Sequence, residues 1–290
     1  MSAYLTHILI IIAIYAILAA SYNLLLGNGG MLNLALVALF GIGAYTSAIF
    51  MMQLHLPYLV ALLAAAIITA SFAVALLYST KHVKGDYLAL ATLGFSYVIG
   101  NILLNWTSVT RGALGIPGIP KPELLGVSIT TNNHYLLFAA ILATISVYTI
   151  HAVATSRFGR ALQAARDDEA GAQMLGKNVL SIQAKTNAIS GFFIGVAGSL
   201  YAHYISYIDP TSFMLLELVL LLTVVIVGGL ASTKGSIAGV ILIIGLGEAL
   251  RFIGLPSSIL GPARQIIYAS ILILILMNKP KGLFGKVSLQ

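Results

Sequence analysis

Apolar residues fill long stretches of the chain, and short polar or glycine-rich segments separate them. A helix needs roughly 20 apolar residues to cross the hydrocarbon core of a bilayer. Stretches of that length predict about nine membrane-spanning helices, with eight to ten as the range. The predicted spans are 5–26, 31–52, 57–80, 86–106, 133–154, 186–207, 213–230, 236–253 and 262–278. No stretch has the ten-residue alternation of a membrane strand, so the predicted fold class is an all-α polytopic membrane protein.

Two segments interrupt this pattern. Residues 28–52 contain Gly29, Gly30, Gly41 and Gly43, so either a continuous span or a broken, re-entrant helix fits them, and the choice changes the span count by one. Residues 107–132 contain four glycines and three prolines, which predicts an outer loop. The N-terminal segment lacks a basic start and a cleavage site, so we expect it to be a retained first span.

The composition agrees with a membrane location. Of the 290 residues, 59% are hydrophobic and only 8% are charged, against about 25% charged in ordinary soluble domains. The mean hydropathy is +1.00. These values exclude a water-soluble enzyme and a disordered chain. With short loops, the helices fill residues 1–290 as a single transmembrane domain.

The basic residues predict the orientation of the chain. Lys and Arg number 15 against 8 Asp and Glu, and basic residues concentrate in cytoplasmic loops. Placing residues 155–185 inside gives an outside N-terminus, an inside C-terminus and 11 basic residues inside against 4 outside. The inside set is Lys81, Lys84, Arg157, Arg160, Arg166, Lys177, Lys185, Lys234, Lys279, Lys281 and Lys286, and the outside set is Arg111, Lys121, Arg251 and Arg264.

The segment 155–184 is the most polar part of the chain. It holds seven charged residues, and strong helix formers predict one helix over Arg160–Leu175 that ends at Gly176. Leu162, Ala165, Ala172 and Leu175 would form a narrow apolar face. This helix is too short to span a bilayer. It is either a docking element for a soluble partner or a helix that lies under its own bundle.

No motif in the sequence indicates an enzyme, a cofactor or a metal site. Residues 171–178 (GAQMLGKN) approach the phosphate-binding loop pattern, but the final Ser or Thr is replaced by Asn178. The six histidines have no metal-ligand spacing. We therefore expect no catalytic, cofactor-binding or metal-binding residues in this chain, and any energy from ATP has to come from another chain.

Polar residues inside apolar spans are costly and indicate function by default. Those that could line a translocation path are Asn23, Asn33, Thr92, Asn101, Glu217 and Glu248. Glu248 and Arg251 are three residues apart, a spacing that also predicts a local ion pair.

Small residues predict where helices pack closely. Gly191–Gly195 and Gly235–Gly239 have the spacing of close helix contacts. Residues 27–45 and 228–249 both begin near a Gly pair and end in Gly-x-Gly, a weak internal repeat of the kind that transporters carry.

Five segments of the chain match a known family. They are GNGGMLNLALVALFGIGAYTSA (27–48), VKGDYLALATLGFSYVIGNILLN (83–105), TRGALGIPGIP (110–120), SRFGRALQAARDDEAGAQMLGKNV (156–179) and VGGLASTKGSIAGVIL (227–242). With these segments the chain resembles the permease subunit of branched-chain amino acid ABC importers. The fourth segment resembles the cytoplasmic loop through which that family contacts its ATPase.

The resemblance implies the residues that couple the chain to an ATPase. They are Arg157, Phe158, Gly159, Arg160, Ala161, Ala164, Arg166, Asp167, Asp168, Glu169, Ala170, Ala172 and Gly176. Among these, we expect the aromatic side chain of Phe158 to enter a groove of the ATPase, because aromatic anchors carry much of the binding energy of an interface.

The resemblance also implies partners and a location. The partners would be a paralogous permease in a heterodimer, two ATP-binding subunits and an extracytoplasmic substrate-binding protein, in a bacterial or archaeal plasma membrane. Membrane lipid surrounds the bundle, and no nucleic acid is expected. Two alternatives stay open at this stage: a stand-alone ion-coupled secondary transporter, and an ABC permease for urea or short amides.

Overall fold

The fold is a bundle of long helices, and one polar segment with two short helices lies between two of them. In this computed structural model the described residues are 3–83, 85–124, 127–129, 131–253, 257–279, 281–285 and 287. Lys84 and Lys286 of the predicted inside set lie outside them. The helices are α1 (Ala3–Asn23, continued by a π-helical turn Leu24–Asn28), α2 (Leu36–Met52), α3 (Tyr58–Thr80), α4 (Asp86–Asn105), α5 (Thr107–Thr110), α6 (Asn132–Thr155), α7 (Arg157–Asp167), α8 (Glu169–Met174), α9 (Val179–Ile205), α10 (Leu215–Gly228), α11 (Thr233–Ala249) and α12 (Ser257–Asn278).

Short elements complete the description. Single 3₁₀ turns cover Gly112–Leu114, Pro210–Phe213 and Leu250–Ile253. Four two-residue strands, β1 (Ile116–Pro117), β2 (Glu123–Leu124), β3 (Val127–Ser128) and β4 (Tyr207–Ile208), form the antiparallel pairs β1–β4 and β2–β3.

An all-α membrane protein is the class that these helices support. Within the described ranges, six helices are long and apolar enough to cross a bilayer, namely Ala3–Asn28, Tyr58–Thr80, Asp86–Asn105, Asn132–Thr155, Val179–Ile205 and Gly261–Asn278. Helices α2 and α10 are apolar but shorter, and α11 has only 17 residues. The number of nine spans therefore stays a prediction.

Apolar side chains on the outside of the bundle are those expected to face lipid. On α6 the exposed residues Leu137, Ile141, Ile145 and Tyr148 follow one another at helical spacing. Tyr135, Ala139 and Ala143 of the same helix are buried against the bundle. In water such a stripe would be an aggregation site, whereas in hydrocarbon it is the stable arrangement.

Helix α9 packs against α2 and α3 through glycine, as the small-residue spacing predicts. A Cβ on Gly43 of α2 would lie 2.7 Å from the Cα of Gly195, and a Cβ on Gly191 would lie 2.9 Å from the Cα of Ala70 on α3. Gly239 of α11 and Gly228 of α10 approach each other in the same way. Because lipid does not drive apolar helices together, such close backbone contacts stabilise the bundle.

The segment predicted as an outer loop is attached to the end of α9. Strand β1 pairs with β4 directly after α9. His203 bonds the carbonyl oxygen of Pro120 through Nδ1 (2.7 Å) and the Ser47 hydroxyl through Nε2 (2.9 Å). Ser199 joins this buried cluster at 2.7 Å from Ser47. The loop thus has fixed partners in α2 and α9.

Two ends of the bundle can be distinguished. We call the end that carries α7 and α8 the inner end and the opposite end the outer end. Basic residues at helix termini or loops of the inner end are Lys81, Arg157, Arg160, Arg166, Lys177, Lys185, Lys234, Lys279 and Lys281, and those at the outer end are Arg111, Lys121, Arg251 and Arg264. This asymmetry is the one that favours a cytoplasmic inner end.

Replacing Gly195 with Ala should destabilise the bundle, because the added methyl group would meet the carbonyl oxygen of Ala65 at 2.6 Å. We expect a loss of about 1–3 kcal/mol in the free energy of unfolding. The measurement is the unfolding temperature of the purified chain in detergent. The matched control is Gly94→Ala on α4, where a Cβ meets no atom within 4 Å. Equal unfolding temperatures for both variants would contradict the packing.

Candidate functional site

The segment between α6 and α9 begins with a tight turn. The hydroxyl of Ser156 accepts a hydrogen bond from the Gly159 backbone N–H (3.2 Å) and so caps the start of α7. A Cβ on Gly159 would lie 2.1 Å from the carbonyl oxygen of Ala154, at the end of α6. Glycine at this predicted coupling position therefore lets α7 fold back against α6.

The prediction of one continuous helix over Arg160–Leu175 is wrong. The chain forms α7 and α8 with a break at Asp168, whose backbone is extended (φ −150°, ψ 98°). The Asp168 carboxylate accepts a hydrogen bond from the Gly171 N–H at 2.9 Å and caps α8. Helix propensity favoured one helix, but Asp is a better cap than a helix-interior residue. The predicted end at Gly176 is confirmed, since this residue has the left-handed φ of +75°.

One side of α7 and α8 lies against the bundle. Leu162 is 1% exposed and packs with Leu24 of the π-helical turn and Ile150 of α6. Ala165 and Ala172 are buried and form a small cluster with Val179 of α9. The predicted apolar face is thus correct for its first three members, and it covers the loop's own bundle.

The other side of the two helices faces outward. Among the predicted coupling residues, the exposed ones are Arg157, Arg160, Ala164, Asp167, Asp168, Ala170 and Gly176, and the partly exposed ones are Phe158, Ala161, Arg166 and Glu169. Met174 and Leu175 are 87% and 81% exposed at the tip of the loop. Leu175 was predicted on the same apolar face as Leu162, Ala165 and Ala172, but the break at Asp168 turns the end of α8 away from the bundle.

Arg166 connects the loop to the membrane helices. Its Nη1 donates to the carbonyl oxygen of Gly27 at 2.6 Å, and its guanidinium pairs with Asp167 at 2.7 Å. A Cβ on Gly30 would lie 2.5 Å from the Cγ of Arg166. The side chain of Arg166 is therefore held between α7 and the segment that joins α1 to α2.

The segment 29–35 is a break in the helical structure, which agrees with the broken-helix alternative for residues 28–52. Its backbone groups are satisfied by side chains that the sequence placed among the path candidates. Thr92 Oγ1 accepts from the Leu34 N–H (2.9 Å), and Asn33 Oδ1 accepts from the Ala35 N–H (2.8 Å). Ser96 donates to the Leu34 carbonyl oxygen at 3.0 Å. Irregular backbone at membrane depth requires such partners.

The Asn23 side chain stabilises a second break in the helical structure, at residues 229–232 between α10 and α11. Its Nδ2 lies within hydrogen-bonding distance of the carbonyl oxygens of Gly229 and Ser232 (3.1 Å each) and of the Ser236 hydroxyl (2.7 Å). Its Oδ1 accepts from the Ala231 N–H at 2.8 Å. Asn23 is 2% exposed, so its amide joins α1 to this break.

Asn101 is the path candidate whose side chain is exposed. Its amide donates only to the Tyr97 carbonyl oxygen of its own helix. It borders a small, mainly apolar cavity of about 40 Å³ between α4, α2 and the start of α10, lined by Val37, Leu93, Ser96, Tyr97, Gly100, Asn101, Phe213, Met214, Leu215 and Leu218.

The two acidic candidates lie toward the outer end. Glu217 accepts a hydrogen bond from the Tyr15 hydroxyl. Glu248 pairs with Arg251 at 3.2 Å, as its spacing predicts, and also with Arg264 at 3.2 Å and with the Tyr4 hydroxyl at 2.7 Å. The six path candidates therefore occupy several places in the bundle. Of these, Asn33 and Thr92 share one backbone segment.

Comparison with known proteins identifies a family that matches most of the chain. A family model described as "Branched-chain amino acid transport system / permease component" matches residues 4–277. No solved structure matches the chain.

Curated relatives of both permease types are similar to the chain. The high-affinity branched-chain amino acid transport system permease protein LivM of Escherichia coli (strain K12) is 30% identical over 93% of this chain and 67% of its own length. The corresponding LivH is 27% identical over 95% of this chain and 92% of its own length. The probable LivM permease protein of Methanocaldococcus jannaschii is 28% identical over 88% and 80%.

The sidedness of the loop can be tested with single cysteines, because the chain has none of its own. We expect Met174→Cys to react with a membrane-impermeant maleimide in inside-out vesicles and not in intact cells, when the chain is expressed without partner chains. Leu114→Cys, 76% exposed near the outer end, should show the reverse accessibility. Labelling of both cysteines from one side would contradict the orientation.

Proposed function

Because the chain belongs to the family of permease components of branched-chain amino acid transport systems, we propose that it forms part of the translocation path of an ABC importer and is driven through α7 and α8. Its substrates are branched-chain or related amino acids. The observation that carries the proposal is the outward side of the α7–α8 loop, which presents charged residues and an apolar tip. Members of the family are transport permeases, so the chain itself is not an enzyme.

The form of the loop supports docking to a soluble partner. Its main apolar contacts, made by Leu162, Ala165 and Ala172, are already used against the chain's own helices. What is left outside is the pair Met174 and Leu175 at the end of α8, beside exposed charges. An apolar anchor surrounded by charged groups is typical of a protein interface with a central hot spot.

The proposed partner is an ATP-binding subunit. Two such subunits would bind the ATP, and this chain would need no cofactor. Phe158 is partly buried and sits beside Gly159, at the junction of α6 and α7. We propose that it packs against the ATPase from the base of the loop, while Met174 and Leu175 contact it at the tip.

Further partners follow from the same proposal. The similarity to both LivM and LivH supports pairing with a paralogous permease. A substrate-binding protein would deliver the amino acid to the outer end, in the plasma membrane of a bacterium or archaeon. The β1–β4 pair and the His203 contact hold the loop at that end in place, which suits a surface that has to receive another protein.

The proposed path runs along the face of α4. Asn101 has an exposed amide beside a small cavity of about 40 Å³ whose lining is mostly apolar. Such a site, with few polar groups at its edge, suits the aliphatic side chain of a small zwitterion. Asn33 and Thr92 would act from the neighbouring break by fixing its backbone, and Glu217 and Glu248 would stabilise the outer half through their bonds to Tyr15 and Arg264.

The pair of substitutions Met174→Glu and Leu175→Glu should weaken the contact with the ATPase, because it places charge in an apolar anchor. We expect at least about a tenfold loss of affinity between permease and ATPase, with a matching loss of uptake. The measurement is recovery of the ATPase with the purified permease, together with uptake of radiolabelled leucine in proteoliposomes.

The control is Leu114→Glu, which adds one negative charge, half that of the double variant, to an exposed apolar residue near the outer end. It should leave recovery of the ATPase unchanged. Full recovery with the double variant at the loop tip would rule out this anchor. Uptake by the chain without any ATPase would instead favour an ion-coupled transporter.

A further inference from the structure

Two interrupted parts of the membrane bundle meet at the inner end. One is the π-helical turn and the break that follows it at residues 29–35, and the other is the break 229–232 between α10 and α11. A Cβ on Gly27 of the π-helical turn would lie 2.2 Å from the backbone nitrogen of Ala231. The two segments are therefore in close contact at Gly27, and the side-chain oxygen of Asn23 lies beside the same position.

Asn23 fixes this contact by hydrogen bonds. It lies one turn before Gly27 on α1, so both face the same side of the helix. Its amide bonds the second break at Gly229, Ala231 and Ser232 and reaches Ser236 on α11. Because all of these partners are more than 200 residues away along the chain, Asn23 is a link between separate parts of the fold.

Arg166 meets the same turn from the side of the loop. Its Nη1 donates to the Gly27 carbonyl oxygen at 2.6 Å, and its aliphatic stem covers Gly30. Gly27 therefore contacts two parts of the fold. Arg166 joins it to α7, and Asn23 and Ala231 join it to the break between α10 and α11.

The second break has another support on its far side. The N–H groups of Leu283 and Phe284 donate to the carbonyl oxygens of Val227 and Gly228 at 2.9 and 3.0 Å. The turn at residues 281–284 thus restrains the end of α10, and residues 229–232 connect that end directly to the start of α11.

We propose that Arg166, Gly27 and Asn23 form a coupling joint, in which Asn23 is the positioning residue that makes α10 and α11 follow the movement of α7. The inference rests on the proposed function, because it needs an ATPase that moves α7. The joint contains charged and amide hydrogen bonds and a glycine contact, so it has little room to absorb displacement. A close-packed element of this kind carries coupling between two distant sites.

The test uses the assembled transporter with Asn23→Ala, Arg166→Ala and the double variant. We expect Asn23→Ala to leave ATP hydrolysis within about twofold of wild type and to reduce leucine uptake about tenfold, since the buried backbone groups of residues 229–232 lose the amide that bonds them. Arg166→Ala should give the same uncoupling. The double variant should be no worse than either single one, because both act in one connection.

The matched control is Asn278→Ala on α12, whose exposed amide donates to the Leu274 carbonyl oxygen of its own helix. It should keep the wild-type ratio of uptake to ATP hydrolysis. Asn23→Asp, which keeps the side-chain shape and the acceptor for Ala231, is the second variant if Asn23→Ala does not assemble.

Three results would contradict the proposal of a coupling joint. They are unchanged uptake with Asn23→Ala, a proportional fall of uptake and ATP hydrolysis, and additive effects of Asn23→Ala and Arg166→Ala. Failure of both Asn23 variants to assemble would make Asn23 a folding residue and would also overturn it. Absence of ATP-dependent uptake by the wild-type transporter is a separate result, which would overturn the proposed function.

Discussion

The constraint on which this structure depends is that backbone groups in lipid need partners within the protein. A continuous helix meets that requirement by itself, but the chain leaves the α-helix at residues 29–35 and 229–232. Each break is satisfied by polar side chains from elsewhere in the bundle: Thr92 and Ser96 for the first, and Asn23 for the second. The breaks persist because the surrounding helices hold them, and those helices are thereby tied together.

Close packing through glycine is the second requirement. Helix α9 approaches α2 at Gly43 and α3 at Ala70 without intervening side chains. In a bilayer the energy of such contacts comes from van der Waals packing, which falls steeply with distance. The bundle is therefore stiff around α9, and the movements needed for transport have to occur between larger bodies or at the breaks.

Much of the fold could be predicted from the sequence because long apolar runs have few solutions in lipid. Six of the predicted runs correspond to described helices long enough to span a bilayer, and the other three correspond to the shorter helices α2, α10 and α11. The outer loop and the close glycine contacts lie where the pattern indicates. The break at Asp168 was missed, because propensity is summed over a window and a single cap can outweigh it. That break also separates Leu175 from the apolar face formed by Leu162, Ala165 and Ala172.

The candidate site was less predictable for a different reason. Polarity marks Asn23, Asn33 and Thr92 as unusual within apolar spans, but it does not say what their hydrogen bonds satisfy. Asn23 bonds residues more than 200 positions away, and no periodicity along the chain reports such a pairing. The weak repeat between residues 27–45 and 228–249 was the available signal, and its two glycine-rich starts are the segments that Asn23 brings together.

Under the proposed function, the same polar contacts would let a rigid bundle respond to a soluble partner. The two sides of the loop have different surroundings. Leu162, Ala165 and Ala172 pack on the bundle, whereas Met174 and Leu175 are exposed. A force on the outward side reaches the membrane helices through the chain connections to α6 and α9 and through the contacts on the inward side. Apolar contacts can slide, whereas the bond from Arg166 to Gly27 has one direction and one length. The hydrogen bond from Arg166 to Gly27 is therefore the contact through which a displacement of α7 has a defined effect on the turn that follows α1.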